Sequence, residues 1–288
     1  MDNLNHQLMK LCKNNRDGSY STQNNRHRIL QMTAKQLKEM GYRKMGSQSL
    51  KPKHVDALVD YWKTERVSAA TIKNRMATLR WWAEKVNKPG VVKRENSEYG
   101  IDNRVYVTNE SKARDLQHDK LDQITNELVK FSLRLQDQFG LRREEAIKFN
   151  VFYANKGDAI QLKGSWTKGG KERSMPLRTE EQKKLLNEIA QQVGNKSLIP
   201  SDKSFKQQLK TYEWHVSNAG MNKMHGLRHG YAQRRYEMIT GWRCPAAGGP
   251  ASKTLTINQK NQDQFARLQI SKELGHEREQ ITAVYLGR

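Results

Sequence analysis

Apolar residues spaced three or four positions apart recur through most of this chain and restrict it to a mainly α-helical fold. Between Thr71 and Val86 they form one stripe, made of Ile72, Met76, Leu79, Ala83 and Val86. Such a stripe packs one face of a helix onto a core and leaves the other face to solvent. The same spacing predicts helices over residues 23–40, 55–62, 121–139, 180–193, 225–239 and 263–274.

One hairpin interrupts the helical pattern. Residues 159–162 and 173–177 are short runs without helical spacing, and the segment 166–171 between them contains two glycines. Short runs joined by a glycine-containing turn are typical of two paired strands. The sequence therefore predicts a mainly α fold with a small β-sheet.

A change of composition near residue 90 indicates two domains. Pro89 and Gly90 end the first helical block, and residues 93–115 are polar, with no long apolar periodicity. Segments of this composition commonly connect domains. We predict a helical domain over 1–95, a linker over 96–112 and a second domain over 113–288.

The charge of the chain points to a polyanionic partner. Its 288 residues include 52 Lys and Arg against 30 Asp and Glu, which gives a formal net charge of +22. Such an excess attracts nucleic acid to the protein surface. Ribosomal proteins, chromatin proteins and basic membrane-surface proteins share such totals, so the charge indicates only the class of partner, with nucleic acid first.

The predicted helix that starts at Thr71 carries candidate contacts to DNA. Lys73, Arg75 and Arg80 lie mostly off its apolar stripe, where they could reach DNA phosphates. Trp81 and Trp82 lie at the edge of the stripe. We expect both tryptophans to pack in the core rather than to stack on bases.

Several protein classes are poorly supported. Cys12 and Cys244 are far apart and have no His or Cys companions at metal-ligand spacing, so we expect neither a disulfide framework nor a structural zinc site. No run approaches the roughly 18 to 20 apolar residues that cross a bilayer. Residues 1–10 are polar and lack the apolar core of a secretory signal. We therefore expect a cytoplasmic protein.

Four short segments carry side chains suited to phosphoryl transfer. They are residues 140–145, 167–173, 225–229 and 274–276, the last followed by Tyr285. Two arginines can bind both non-bridging oxygens of one phosphodiester and stabilise the charge that develops on it. A lysine at a hairpin tip can give a proton to a leaving oxygen, and a tyrosine can act as a covalent nucleophile.

The spacing of these side chains sets a geometric condition. His225 and Arg228 are three residues apart and share one face of a helix. His276 and Tyr285 are nine apart, so on a continuous helix, at about 100° per residue, they would lie on opposite faces. Both can serve one phosphate only if the helix breaks between them, and residues 277–280 are the expected place. Taken singly, each segment is more typical of an ordinary ion pair, turn or helix end.

In their order along the chain, these residues resemble the active-site set of the tyrosine recombinase, or phage integrase, family. The set consists of Arg142, Lys168, His225, Arg228, His276 and Tyr285. The motifs that carry the resemblance are Gly-Leu-Arg at 140–142, Lys-Gly-Gly-Lys-Glu-Arg at 168–173, His-Gly-Leu-Arg-His at 225–229 and Leu-Gly-His at 274–276. The resemblance is strong over 121–288 and looser over the front of the chain, chiefly through 68–87.

The resemblance implies a fold and a set of roles. A helical core-binding domain and a mixed α+β catalytic domain would form a clamp around duplex DNA. Tyr285 would attack the scissile phosphate and form a 3′-phosphotyrosine. Arg142 and Arg228 would bind the non-bridging oxygens with the help of His276, and Glu145 would be a buried partner that holds Arg142.

The proton transfers and the partners follow from the same resemblance. His225 would help to take the tyrosine proton, and Lys168 would protonate the leaving 5′-oxygen, with Lys171 next in line and a candidate DNA contact. The bond energy stays in the phosphotyrosine, so neither a cofactor nor a metal is required. The expected partners are double-stranded DNA at specific recombination sites and further copies of the chain, as a tetramer on synapsed DNA. The resemblance also implies a bacterial or phage-encoded enzyme, associated with the nucleoid, that integrates or excises a mobile element.

Two other functions stay open at this point. A non-catalytic architectural or regulatory DNA-binding protein would suit the charge equally well. A type IB topoisomerase, or a telomere-resolving enzyme, would use similar chemistry, but a topoisomerase relaxes DNA instead of exchanging strands. Synapsis of two DNA sites distinguishes a recombinase from a topoisomerase.

Two features depart from the family pattern. The span from Arg228 to His276 is longer than usual because of a loop over 241–261, and the sequence stops three residues after Tyr285. The loop lacks apolar periodicity, so we expect no core role for it. We expect it to contact a neighbouring subunit or DNA, with Trp242 as its apolar anchor, although a solvated, disordered insertion is equally compatible with the sequence.

Overall fold

A computed structural model describes residues 3–276 and 278–288 of the chain. The chain divides into two compact units, Met1–Val105 and Tyr106–Arg288. The division falls inside the segment 96–112, which we predicted as a linker. Both units are largely helical and the described strands form one two-stranded sheet, so the predicted fold class is confirmed.

The N-terminal unit contains four described helices. They are α1 (Asn3–Asn14), α2 (Tyr20–Glu39), α3 (Pro52–Thr64) and α4 (Ala69–Lys85). Local signals set their ends: the Ser68 side chain accepts a hydrogen bond from the backbone N–H of Thr71, and Pro52 occupies the first position of α3. Gly41, with φ of +93°, follows the end of α2. All three helices predicted for this unit are confirmed, and α1 is an addition.

Tryptophans anchor the core of this unit. Trp62 and Trp82 are fully buried. The indole N–H of Trp62 donates to Oε1 of Gln36 at 2.9 Å, and that of Trp82 donates to the carbonyl of Ser47 at 2.9 Å. Trp81 is buried as well, so the prediction that Trp81 and Trp82 pack in the core is confirmed.

The C-terminal unit combines nine described helices with one hairpin. The helices are α5 (His118–Asp122), α6 (Glu127–Phe139), α7 (Arg143–Ile147), α8 (Val151–Ala154), α9 (Glu180–Val193), α10 (Phe205–Asn218), α11 (His225–Thr240), α12 (Ile257–Glu273) and α13 (Glu279–Leu286). The strands β1 (Ala159–Leu162) and β2 (Arg173–Pro176) are antiparallel, with Leu162 opposite Arg173. The predicted hairpin and the helices predicted over 180–193 and 225–239 are confirmed.

Two predicted helices have different limits in the structure. In place of one helix over 121–139 the chain forms α5 and α6, because the Asn126 side chain caps α6 by accepting from the backbone N–H of Val129. Helix α12 begins before its predicted start, because Thr256 and Gln259 cap it reciprocally. Capping decides both limits, and apolar periodicity does not report it.

The loop predicted over 241–261 is shorter than expected and belongs to the core. Residues 257–261 are the start of α12, and Cys244, Ala246 and Leu255 are buried. Cys244 and Ala246 join the apolar cluster formed with α11, α12 and α13. The expectation of no core role was wrong, because isolated apolar residues in a segment without repeating structure leave no periodic signal.

Trp242, the expected anchor for a neighbouring subunit, packs within its own unit. Its ring lies edge-on to Tyr236, with the ring centroids 6.4 Å apart. A contact of the exposed residues of this loop with a neighbouring subunit or DNA stays a prediction.

The described residues contain no candidate membrane span and no candidate metal site. None of the described helices combines the length and the apolar composition of a membrane span. Among the same residues, no three His, Cys, Asp or Glu side chains are grouped in a way that could hold a metal ion.

Candidate active site

The corner between α6 and α7 orients the first arginine. The N–H groups of Arg142 reach both carboxylate oxygens of Glu145: the backbone N donates to Oε2 at 2.7 Å and Nη1 donates to Oε1 at 2.8 Å. Gly140 makes the turn possible, because its φ is +60° and a Cβ there would lie 2.5 Å from the ring of Tyr231. Glu145 thus holds Arg142, as the resemblance implied.

The carboxylate of Glu145 is fully buried and binds a second arginine. Arg173, at the start of β2, donates to it through Nη1 at 2.8 Å and through Nη2 at 2.7 Å. Burial alone would raise the pKa of Glu145, but Arg173, Arg228 and Arg142 together lower it to about 2. Glu145 is therefore a stable anion among three guanidinium groups.

Arg173 is the last residue of the Lys-Gly-Gly-Lys-Glu-Arg motif at 168–173, and the sequence analysis predicted no role for it. Its side chain is nearly buried and lies against Gly275, where a Cβ would come within 2.9 Å of Nη1. The sequence nevertheless contains a signal that this side chain points inward. Alternate residues of a strand share one face, so Arg173 faces the same side as the buried Met175.

Arg228 is completely buried and joins three parts of the site. Its guanidinium donates to the carbonyls of Gly140 and Leu274, and its Nε lies 3.3 Å from the phenolic oxygen of Tyr285. Arg142 also reaches the Leu274 carbonyl, from Nη2 at 3.4 Å. Burial lowers the pKa of Arg228 to about 10, so it remains charged at neutral pH. The two arginines therefore meet at one carbonyl beside the phenol.

The helix break that the site requires is present. Helix α12 ends before His276, and α13, which carries Tyr285, starts after it. The break begins at Gly275, with φ of +67°, which is earlier than the predicted 277–280. Glu277, the first residue of that prediction, lies outside the described residues. Gly275 was the stop signal, and it stands before the segment in which we expected the break.

Three histidine rings surround the phenol of Tyr285. The centroid distances to its ring are 6.3 Å for His225, 5.7 Å for His276 and 4.5 Å for His229. His229 was not assigned from the sequence, although it is four residues after His225 and therefore on the same helical face. Its Nδ1 is buried and has no hydrogen-bond partner among the residues that the structure describes.

The surroundings keep these histidines neutral. Burial, and then the positive charges of Arg228 and Arg142, lower the pKa of His276 to about 4. The same three causes lower the pKa of His225. Both rings are therefore uncharged at neutral pH and can accept a proton or share one.

The structure does not bring Lys168 into this group. Lys168 is exposed in the loop between β1 and β2, and no described residue of the site forms a hydrogen bond or ion pair with it. Gly169 and Gly170 follow with φ of +92° and +73°. Lys171 is exposed in the same loop. Five of the six expected active-site residues thus lie together, and the sixth, Lys168, lies in the exposed loop between β1 and β2.

Two of the candidate DNA contacts lie half-buried on α4. Lys73 donates to Oδ1 of Asn103 at 3.2 Å, and the guanidinium of Arg75 lies 5.0 Å from the ring centroid of Trp62. Arg75 also lines a groove of about 710 Å³ between α1, α2 and α4. Both side chains therefore have contacts within the N-terminal unit, and Arg75 also faces this groove.

Arg80, the third candidate, is engaged within its own unit. Its Nε and Nη2 donate to the carbonyl of Lys93 at 3.1 and 3.0 Å, and Nη2 also donates to Oδ1 of Asn96 at 2.9 Å. The guanidinium thus ties α4 to the chain that follows it. A phosphate could use only the remaining donors.

Two family models match the chain. Residues 1–88 match the model described as phage integrase, N-terminal, and residues 104–234 match the model described as integrase. Four of the six expected active-site residues lie within the second match, and His276 and Tyr285 follow it. No curated protein is significantly similar to the chain in sequence.

Solved structures share the fold across nearly the whole chain. A lambda integrase dimer bound to a COC′ core site is 16% identical, with a TM-score of 0.63, over 99% of this chain and 78% of that one. The XerH site-specific recombinase bound to its difH substrate is 17% identical, with a TM-score of 0.57, over 98% and 80%. The Tn1549 transposon integrase in complex with circular intermediate DNA is 12% identical, with a TM-score of 0.56, over 100% and 96%. At these identities the likeness shows a common fold.

The buried histidines predict how stability depends on pH. Folding lowers the pKa of His229 from 6.5 to about 4, through burial and then the charges of His225, Lys112 and Arg228. Between these two pH values the unfolded chain binds more protons than the folded chain, so the free energy of unfolding should fall as the pH falls from 6.5. Replacing His229 by Phe should flatten this slope by up to about 1.4 kcal/mol per pH unit.

The measurement is urea unfolding at several values between pH 6.5 and 5. Glu145 does not interfere, because its contribution is fully present above pH 4.5 and is lost only as the pH falls towards about 2. His118→Phe, on the exposed face of α5, is the matched control and should keep the wild-type slope. An unchanged slope in His229→Phe would show that His229 is not held neutral by folding.

Proposed function

The chain belongs to the phage integrase family, and we propose that it is a site-specific tyrosine recombinase that cuts and rejoins duplex DNA. The phenolic oxygen of Tyr285 attacks the scissile phosphate, a bond from phosphorus to this oxygen forms, and the bond to the 5′-oxygen breaks. The product is a 3′-phosphotyrosine and a free 5′-hydroxyl. The 5′-hydroxyl of a partner strand then attacks the phosphotyrosine, which restores the DNA backbone and frees the tyrosine.

The contact between Arg228 and the phenol of Tyr285 carries this proposal. The 3.3 Å from Nε to the phenolic oxygen puts the nucleophile beside a guanidinium that is buried and charged. Arg142 reaches the same carbonyl as Arg228, so a phosphate bound by both arginines would lie next to the attacking oxygen. Preorganised charges of this kind stabilise the extra negative charge of the five-coordinate phosphorus.

The histidines take the supporting roles. We assign to His225 the acceptance of the tyrosine proton, because a neutral ring close to the phenol can act as a base. Nε2 of His276 lies 3.5 Å from Nη2 of Arg228. His276 would therefore assist the arginines in binding a non-bridging oxygen of the phosphate. Both roles begin with a neutral ring, and the lowered pKa values of His225 and His276 favour that form.

Lys168 is the proposed general acid. It would give a proton to the leaving 5′-oxygen, and its exposed position on the loop between β1 and β2 lets it approach a DNA strand bound at the site. The two glycines after it give the loop the conformational freedom for such an approach. Lys171, in the same loop, is the alternative acid and a proposed DNA contact.

Double-stranded DNA with specific recombination sites is the proposed substrate, and a tetramer on two synapsed sites is the proposed assembly. Among the structural relatives, XerH is bound to its difH substrate, and lambda integrase forms a dimer on a core site and a tetramer on a Holliday junction. The net charge of +22 suits such a substrate. We place the reaction at the nucleoid, in the cytoplasm of a bacterium, where it would integrate or excise a mobile element.

Replacing Tyr285 by Phe removes only the nucleophilic oxygen and should abolish the covalent adduct while DNA binding persists. The adduct is measured as a slowly migrating band on a denaturing gel, after incubation with a nicked suicide site. Tyr212→Phe is the matched control, because Tyr212 is a buried tyrosine of α10 whose hydroxyl accepts a hydrogen bond from the side-chain amide of Gln136 at 2.9 Å. An adduct of wild-type strength in Tyr285→Phe would contradict the assignment of the nucleophile.

Replacing Lys168 by Ala should slow cleavage of an ordinary substrate by about a hundredfold, the usual contribution of one general acid. A substrate whose leaving 5′-oxygen is replaced by sulfur should be cleaved by this variant at close to the wild-type rate, since a thiolate leaves without a proton. Lys171→Ala is the parallel variant. If sulfur rescues Lys171→Ala and not Lys168→Ala, the acid is Lys171.

Replacing Lys73 and Arg75 by Ala should weaken DNA binding and reduce its dependence on salt. Each phosphate contact that is lost should lower the slope of log K against log salt by roughly one unit. Fluorescence anisotropy of a labelled duplex across a salt series measures this slope. Lys10→Ala, an exposed lysine on α1, is the control for charge, and an equal change in Lys10→Ala and in the α4 variants would show that α4 holds no special contact.

A further inference from the structure

The helix that carries Tyr285 cannot set its own position. Helix α13 has eight residues, whereas isolated helices shorter than about 12 to 15 residues are marginal in water. Tyr285 is the last residue but one of this helix. The place of the phenol therefore depends on the contacts made at the end of α13 and just after it.

Hydrogen bonds from distant parts of the same unit hold the backbone after Tyr285. Nη1 of Arg267 donates to the carbonyl of Gly287 at 2.9 Å. The side chain of Asn109 accepts from the N–H of Arg288 at 2.8 Å and donates to its carbonyl at 3.0 Å. Gly287 and Arg288 directly follow the last residue of α13, so these hydrogen bonds fix the chain where the helix ends. A cation at a helix C-terminus is also favourable for the helix dipole.

A further hydrogen bond holds the main chain of Tyr285 itself. The side-chain amide of Gln233, on α11, donates to the main-chain carbonyl of Tyr285 at 3.0 Å. Its own oxygen accepts from the hydroxyl of Ser111 at 3.0 Å. Helix α11 thus binds the main chain of Tyr285 through Gln233 and its phenolic oxygen through Arg228.

Arg267 is the most strongly oriented of these groups. It is buried, and its Nε donates to both carboxylate oxygens of Asp263 at 2.9 and 2.8 Å. The hydroxyl of Tyr236 also donates to Asp263, at 2.6 Å. Nη2 of Arg267 lies 3.4 Å from the hydroxyl of Ser252. The Nε–H of the planar guanidinium is therefore bound to Asp263, and this fixes the direction in which Nη1 donates to the carbonyl of Gly287.

The segment between α11 and α12 forms the wall against which this end of the chain packs. A Cβ on Gly287 would lie 2.8 Å from the backbone nitrogen of Ala246 and 3.2 Å from Cβ of Pro245. Leu286 is fully buried and belongs to the same apolar cluster as Cys244 and Ala246. The segment that we expected to reach a neighbouring subunit thus packs directly against the residues that follow Tyr285.

We propose that Arg267 is a positioning residue for Tyr285, supported by Asn109 and by the wall of residues 244–246. By fixing the carbonyl of Gly287, it sets where α13 ends and therefore where the phenolic oxygen lies relative to Arg228. A displacement of about 1 Å at a reacting atom can slow a reaction by about a hundredfold, so this contact far from the phosphate affects the rate. The proposal rests on the proposed function, because it assigns a role in the cleavage step.

The test separates positioning from folding and from DNA binding. Arg267→Lys keeps the ion pair with Asp263, but one ammonium group cannot reproduce the two-edged geometry of the guanidinium. Asn109→Gly removes the side-chain contacts to Arg288 and keeps a residue that tolerates the φ of +54° at this position. Arg134→Lys is the matched control, since Arg134 is a half-buried arginine of α6 that is likewise paired with a carboxylate, Glu188 on α9.

Three quantities are measured on the full chain: the single-turnover cleavage rate at saturating suicide DNA, the Kd for that DNA, and hydrogen exchange of the backbone amides over 282–287. In Arg267→Lys the rate should fall by about tenfold or more with the Kd within about twofold of wild type. In Asn109→Gly the fall should be smaller, and in both variants exchange over 282–287 should be faster. Arg134→Lys should match wild type in all three.

The proposal is overturned if Arg267→Lys cleaves within about twofold of the wild-type rate, or if its rate falls only as much as its folded fraction. It is also overturned if the Kd rises while the rate at saturation is unchanged, because Arg267 would then act on binding. A wild-type chain that forms no adduct with any suicide site would overturn the proposed function, and this proposal with it. Wild-type cleavage together with unimpaired variants would overturn this proposal alone.

Discussion

Three guanidinium groups converge around one buried carboxylate in the C-terminal unit, and their mutual repulsion would drive them apart without that anion. Glu145 binds Arg142 and Arg173 directly, and the charge of Arg228 also lowers its pKa. This cluster joins the corner after α6 to strand β2, and through the carbonyl of Leu274 it reaches the end of α12. The arrangement of positive charge around the phenol depends on it.

Tyr285 is held both at its phenol and at its main chain by residues of α11. Arg228 binds its phenolic oxygen, and Gln233 binds its main-chain carbonyl. Arg267 and the segment after α11 hold the residues that follow. A short helix between two such sets of contacts has little freedom to move, which agrees with the electrostatic preorganisation that phosphoryl transfer requires.

The helices and the hairpin could be predicted because their signals are local, and the order of the chemical side chains indicated the site. Arg173 was missed because strand alternation places it on the same face as Met175 but does not show its partner, Glu145, which is 28 residues away in sequence. The core role of Cys244 was missed because one apolar residue in an irregular segment has no period. The break before α13 was placed at 277–280, although the predicted helix over 263–274 stops directly before Gly275, whose positive φ ends it.

One phenol, set beside two arginines, is proposed to form the covalent bond to DNA. The most direct measurement is to trap the adduct on a suicide duplex, digest it with trypsin and identify the DNA-bearing peptide by mass spectrometry. We expect the DNA to be carried by the peptide of residues 279–288, which contains a single tyrosine, with the phosphate on Tyr285. DNA attached to any other residue would contradict it, as would cleaved DNA with no attached peptide.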